Sequence, residues 1–387
     1  MSNYLSKICP ELLKVAQMGK DETKNDCIVY TRYFSQALCE AERLGIKVKS
    51  YPFISAFGAS LTSSQIVHFA RTNMVNFISK QAKVSALIDV SKKILSLDTL
   101  YERDCWGKGG RIAIIDTGIS PHIDFCLIHN RIVQFIDLIN NKSTPYDDNG
   151  HGTFVASIAC GNGFASGGKY CGVSPKSDIV AIKALAENGE AGADKILEAM
   201  QWVSDNHKKF DIRVVCMSFG SNPIGRNDPL VVGAEALWRQ GIVVVAAAGN
   251  SGPEGETIKS PGFSSQIITV GGIDDNRNKE GTFDRSQFAV ANFSSRGPAG
   301  RFFKPDLTAP AVNITGGHFG DEKLYSQMSG TSVATPMIAG ICMLICSKFP
   351  NLSPDYIKVR LLSNCKKISG NQNEEGFGLL NLSGFFD

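Results

Sequence analysis

The stretch RIAIIDTGI (111–119) sets four apolar residues in a row and ends them on a carboxylate, a threonine and a glycine. A run without a polar face suits a strand covered on both sides. Four more runs follow, at 179–182, 214–217, 242–248 and 267–270, each closing on small or polar residues. Helical windows fall at 152–159, 193–206 and 229–240. Strands alternating with helices predict an α/β fold, a doubly wound and mostly parallel sheet with helices on both faces. Ligands bind such sheets beyond the carboxyl ends of the strands. Asp116 follows the first run and Asn250 the fourth, so both belong at that edge.

Upstream the pattern is different. Segments 27–32, 46–54 and 75–79 read as strands, and 35–44 and 63–72 as helices. So compact a β-α-β-α-β run predicts a small α+β unit of ferredoxin-like kind. The expected organisation is an N-terminal domain at 1–86, an irregular junction and lead-in at 87–110, and a main domain at 111–387. A chain of 387 residues has room for two or more domains at roughly 150 residues each.

Composition narrows the function classes. With 43% hydrophobic and 20% charged residues, the chain can bury a full core, which excludes a wholly disordered protein. A net charge of +3 provides no field for nucleic acid or anionic lipid, so neither nucleic acid nor membrane is expected as a partner. The apolar stretches at 242–248 and 337–346 fall short of the roughly 18–20 residues that span a bilayer. The start, MSNYLSKICPELLK, lacks a basic region followed by an apolar one, so a cytoplasmic location is expected, with non-Sec release left open. Eleven scattered cysteines, among them Cys216 and Cys342 in apolar runs, read as free structural thiols in a reducing setting.

Three segments carry reactive chemistry. Asp116 stands at a strand end, His151 lies between glycines in NGHGT (149–153), and Ser332 precedes an apolar helix expected at 336–346. A serine hydroxyl becomes a nucleophile when a histidine takes its proton. That histidine needs a buried carboxylate on its other nitrogen. Taken singly, each residue is also an ordinary turn or cap residue. Their order, Asp, His, Ser, each on the predicted sheet edge, points to nucleophilic catalysis.

With these motifs in hand, the chain resembles the subtilisin-like (subtilase) serine peptidases, in particular an intracellular bacterial-type member with an N-terminal propeptide. The matching text is IAIIDTGI (112–119), NGHGTFVAS (149–157), AAAGNSG (246–252), FSSRGP (293–298), KPDLTAPAV (304–312) and MSGTSVATPMIAG (328–340). The resemblance implies Asp116, His151 and Ser332 as the triad and Asn250 as oxyanion donor. It also implies substrate contacts at Gly189, Ser218 and Gly220, and a specificity pocket at Ala248, Gly249 and Lys259. Phe154, Ser157, Val333, Met337 and Ala311 depart from common family residues but spare the reacting groups.

The resemblance further implies a self-processing proenzyme. Residues from about 25 to 86 would be a propeptide bound in the cleft, cut within VSALIDV (84–90). The partners expected are thus a peptide or protein substrate and the chain's own propeptide. No cofactor is expected to be required and no metal ligand is assigned. Asp124 stands where many relatives ligate calcium, yet the loop GNGFASGGKYCGV (161–173) lacks the oxygen-rich text of a strong site, which leaves only weak calcium binding open. Lys259 reads in two ways: an ammonium presented to an acidic substrate side chain, or a stem that carries its charge out to water. Two rival functions stay open, a peptide ligase or macrocyclase on the same triad and a non-catalytic peptide-binding module.

Overall fold

The structure, a computed structural model, describes residues 4–9, 12–13, 23–52, 55–80, 87–127, 129–225, 227–278, 281–320, 324–368 and 371–386. The chain forms two compact units, 1–84 and 85–387. Part of the expected cleavage window, 84–86, lies outside the described residues.

The first unit has strands β1 (Asn25–Thr31), β2 (Val48–Tyr51), β3 (Ala56–Leu61) and β4 (Val75–Lys80), with helices Phe34–Arg43 and Ser63–Arg71. The sheet order is β2-β3-β1-β4, antiparallel throughout. This βαββαβ arrangement is ferredoxin-like, with one strand more than the sequence pattern revealed. AFGASL (56–61) is rich in small residues and carries little strand signal. It is held as a strand by pairing with β1 on one side and β2 on the other, and the Tyr51 ring of β2 lies across Gly58. Helix Ser63–Arg71 starts at a capping box between Thr62 and Gln65, and buries Ile66 and Phe69 against Val29, Phe57 and Ile78.

The second unit is built on a ten-stranded sheet. Its parallel part runs β16 (Leu379–Leu380), β12 (Leu307–Pro310), β10 (Ile268–Asp274), β9 (Val243–Ala247), β8 (Ile212–Met217), β5 (Arg111–Asp116), β7 (Asp178–Lys183), β6 (Ile132–Asp137). Short antiparallel strands β11 (Ala289–Val290) and β15 (Cys365–Lys366) pair with β10 and β16, while β13 (Ile314–Gly317) and β14 (Tyr325–Met328) form a separate hairpin. Every residue of β9 is buried, and successive side chains point to opposite faces, so both faces are covered. The five expected strands are all present. β6 and β12 escape the apolar pattern because β6 is half-exposed at the sheet edge and β12 ends in a proline.

The chain leaves β5 towards β6 and β7 on one side and then crosses to β8 on the other. The carboxyl end of β5 is therefore the switch point, and Asp116 is its last residue. The stretch read as irregular before β5 contains helices Leu87–Leu95 and Asp98–Tyr101.

Helix Thr331–Lys348 is longer than the 336–346 expected and includes Pro336. Ser332 is accordingly its second residue rather than a residue ahead of it. By length and composition this helix could cross a membrane, yet 83% of its apolar window is buried in the protein's own core. Gly340 lets it approach helix His151–Cys160: a β-carbon there would lie 3.1 Å from the Ala159 carbonyl oxygen. None of the eleven cysteines is joined in a disulfide, and burial pushes the Cys160 thiol up to about 12.

Beneath the β10–β12 pair lies a buried charge cluster. Asp306 accepts from Lys304 Nζ at 2.5 Å, from the Thr269 N–H at 2.7 Å, and pairs with Lys358 at 3.0 Å. Removing one partner of a buried pair leaves an uncompensated charge. Asp306→Ala is expected to lower unfolding stability by about 3–5 kcal/mol, read from urea denaturation, and Lys304→Met/Asp306→Leu to recover most of that loss.

Candidate active site

The carboxyl edge of the sheet brings an acid and a base together. Asp116, 1% exposed, accepts the Nδ1–H of His151 at Oδ1, 2.7 Å away, and the Thr117 N–H at 2.8 Å. Its other oxygen finds no donor among the described residues. His151 opens helix His151–Cys160 behind Gly150, whose φ of +101° excludes most side chains. Crowding adds to that need, because a β-carbon on Gly150 would strike the Phe319 ring.

Two opposed influences act on the imidazole. Burial penalises its charged form, while the Asp116 carboxylate, by charge and by hydrogen bond, and Asp147 farther off favour it; the attraction wins and holds His151 above its ordinary 6.5. His151 hydrogen-bonds Asp116, and among the described residues no hydrogen bond joins its ring to Ser332.

Ser332 and Asn250 meet at Gly330. A β-carbon on Gly330, whose φ is +152°, would sit 3.1 Å from Ser332 Oγ and 3.3 Å from Asn250 Nδ2. Glycine keeps that space open. The Asn250 amide is oriented from behind: its Oδ1 accepts the Thr331 N–H at 2.9 Å and the Thr331 hydroxyl at 3.0 Å. That leaves Nδ2 facing Ser332, where it can donate to a developing oxyanion.

The residues expected to hold substrate lie on neighbouring strand ends. Ser218 and Gly220 follow β8, and Ala248 and Gly249 follow β9. Lys259 bridges them. Its N–H donates to the Ala248 carbonyl at 2.8 Å, and its neighbour Ser260 pairs with Ser221. The lysine stem packs between Gly220 and Gly249, so closely that a β-carbon on either would fall within 2.6 Å of it. The ammonium ends on Asn222 Oδ1 at 2.5 Å. Gly189 is apart from these, on a loop tied to the histidine turn by Asn149 Nδ2, which donates to the Glu187 carbonyl at 2.8 Å.

Two of the departures from common family residues, Ser157 and Phe154, have local explanations. Ser157 donates to the Phe154 carbonyl and accepts the Gly317 N–H at 2.6 Å, pinning the β13–β14 hairpin to the histidine helix. Gly316 makes room for the Phe154 ring. Val333 and Met337 are buried, and Ala311 accepts the Gly330 N–H at 2.9 Å.

Asp124 is buried with both oxygens engaged, by the Ala165 N–H at 2.9 Å and the Tyr325 hydroxyl at 2.6 Å. Among the described residues no group of three or more His, Cys, Asp or Glu is gathered in a way that could hold a metal ion.

Sequence patterns missed Lys183 and Asp147. Lys183, fully buried, donates to the Thr117 carbonyl and to Asp148, each at 2.6 Å, and to the Leu185 carbonyl at 3.0 Å. A lysine closing an apolar strand reads from sequence as a solvated end.

Fold and relatives together define the family. The chain belongs to the subtilase family, whose profile matches residues 107–379. It is 41% identical over 279 residues to the serine protease AprX of Bacillus subtilis (strain 168), covering 67% of this chain. It spans 61% of the length of that relative. Subtilisin DY of Bacillus licheniformis is 32% identical over 292 residues, covering 75% of this chain and 95% of its own. Among solved structures, Sphericase aligns with a TM-score of 0.63 at 27% identity, over 78% of this chain and 98% of its own. A further structure, S41 Psychrophilic Protease, aligns with a TM-score of 0.62 at 30% identity, over 71% and 92%.

Removal of the carboxylate tests the balance of forces on His151. In a Ser332→Ala background, proton NMR is expected to show the His151 ring titrating above 6.5. Asp116→Asn is expected to bring the midpoint below that value, because burial then acts with only Asp147 to oppose it.

Proposed function

We propose that this chain hydrolyses internal peptide bonds as a serine endopeptidase through Ser332, His151 and Asp116, and that it is made as a proenzyme that cuts itself. The observation that carries this reading is the 2.7 Å His151–Asp116 bond at the switch point of the sheet. Ser332 and Asn250, facing each other across Gly330, support it.

In this reading Ser332 Oγ attacks the peptide carbonyl carbon as His151 Nε2 takes its proton. The Asn250 amide donates to the resulting oxyanion. Collapse breaks the C–N bond, and the imidazolium gives its proton to the departing amine. Water then attacks the acyl-enzyme by the same route and releases the acid, restoring Ser332. No cofactor enters these steps, and we assign no cation to Asp124, whose oxygens already have protein donors.

The substrate is a peptide or protein lying extended along the backbone of Gly189, Ser218 and Gly220. The N-terminal unit serves as the propeptide. Processing falls within 84–90. Wild type is expected to lose about 9–10 kDa, the share of those residues in a 41.8 kDa chain of 387, while Ser332→Ala stays full length. Casein supplies the companion assay. Fragments from wild type, and almost none from His151→Ala or Ser332→Ala, are the expected result. Ligated products would point to the ligase, and an unchanged substrate to a binding module.

Lys259 sets the pocket preference in this proposal. With its stem between Gly220 and Gly249, its ammonium can swing from Asn222 to an acidic side chain preceding the scissile bond. A desolvated pair of this kind is worth about 2 kcal/mol of preference. Peptides differing only in Glu, Leu or Phe at that position are expected to show a Glu preference that Lys259→Gly abolishes. A Leu or Phe preference that survives Lys259→Gly would instead mean that the lysine only carries its charge to water.

A further inference from the structure

A second buried carboxylate beside the pair takes no part in the chemistry written above. Asp147, 7% exposed, lies four residues before His151. Its Oδ1 accepts from the Thr117 hydroxyl at 2.9 Å and from the N–H groups of Asn149 at 3.1 Å and Gly150 at 2.8 Å. Its Oδ2 accepts from the Thr153 N–H at 2.9 Å and the Thr153 hydroxyl at 2.6 Å.

These donors come from two elements. Thr117 directly follows Asp116 at the end of β5, and Gly150 and Thr153 bracket His151 in its first helical turn. Thr117 closes the circuit, because its hydroxyl accepts the Gly152 N–H at 2.9 Å and its own N–H donates to Asp116 Oδ1. A helix cap needs only the exposed N–H groups of one helix. Asp147 does more: it joins the acid's strand to the base's helix.

We infer that Asp147 is a positioning residue, which holds His151 in register with Asp116 and lends a second negative charge to the imidazolium formed when Ser332 gives up its proton. This rests on the reading under Proposed function. The charged and titratable groups packed around the bracket are Asp116 on β5, Asp148 beside it in sequence, Lys183 on β7 and Tyr146. Lys183 pairs with Asp148 at 2.6 Å, and the Tyr146 hydroxyl donates to Asp137. Asp147 itself has no cation partner among the described residues; its five donors are neutral dipoles, which satisfy the carboxylate without cancelling its charge. Of these groups, Asp116 and Asp147 are the ones whose charge favours protonated His151.

The test separates the two parts of the role and needs no turnover for one of them. In a Ser332→Ala background, Asp147→Asn is expected to lower the NMR midpoint of the His151 ring by about half a pH unit or more. With Ser332 restored, the same change is expected to lower kcat by about 10- to 100-fold with KM little altered, since misplacement of a reacting group costs on that scale. Thr117→Val keeps the charge and cuts the link to β5; it is expected to lower kcat with KM held and the midpoint unmoved. A midpoint unchanged by Asp147→Asn, or a kcat loss without that shift, would overturn the proposal. Should Asp147→Asn fail to fold, Thr117→Val decides alone, and wild-type kcat in it would be fatal. If the unaltered protein cuts no peptide, the peptidase reading fails while the NMR titration still judges Asp147.

Discussion

A carboxylate as deeply buried as Asp116 must find its donors inside the protein, and the site depends on who those donors are. One is the backbone N–H of Thr117, supplied by the turn that ends β5. The other is the imidazole of His151, supplied by a separate helix. The hydrogen bond between them is therefore a tertiary constraint: it forms only where β5 and helix His151–Cys160 are brought to a fixed distance. It also favours the protonated form of His151 against burial, which acts the other way.

The fold meets that constraint by topology. Because the chain leaves β5 in one direction and returns on its other side, the end of β5 is open above the sheet. Helices His151–Cys160 and Thr331–Lys348 pack together beside it, with Gly340 allowing close approach. Their first turns then present His151 and Ser332 at one edge. Buried charges brace the arrangement from outside the chemistry. Lys183 ties the Thr117 carbonyl to Asp148, and Asp147 ties the Thr117 hydroxyl to Thr153. One threonine after the strand is thus held by a cation through its backbone and by an anion through its side chain.

Glycine has a spatial role at few but decisive positions. Gly330 leaves the volume between Ser332 and Asn250 empty, and Gly150 admits the Phe319 ring beside the histidine turn. Gly220 and Gly249 admit the stem of Lys259. In each case a single β-carbon would displace a side chain of the site, so these glycines are demanded by their neighbours as well as by backbone angle.

Much of this was legible in the linear text because the relevant signals are local. Apolar β-branched runs announce strands buried on both faces, and the five read that way are strands. Asp116, His151 and Ser332 each sit in a short motif at an element boundary, which is why they could be named as candidates together, with Asn250 added by the family resemblance. Other features depend on pairing partners far along the chain. β3 is made of small residues held between β1 and β2, β6 is half-exposed at an edge, and β12 carries a proline, so none shows the expected pattern. Nothing in the local sequence marks Lys183, Asp147 and Asp306 as buried, because a charge declares itself buried only when its partners close over it. The sequence by itself determined which groups could do chemistry and on which edge of which kind of sheet. Tertiary structure alone decided which carboxylate meets the imidazole, which way the Asn250 amide faces and where the Lys259 ammonium ends, since each is set by distances between residues remote in the chain.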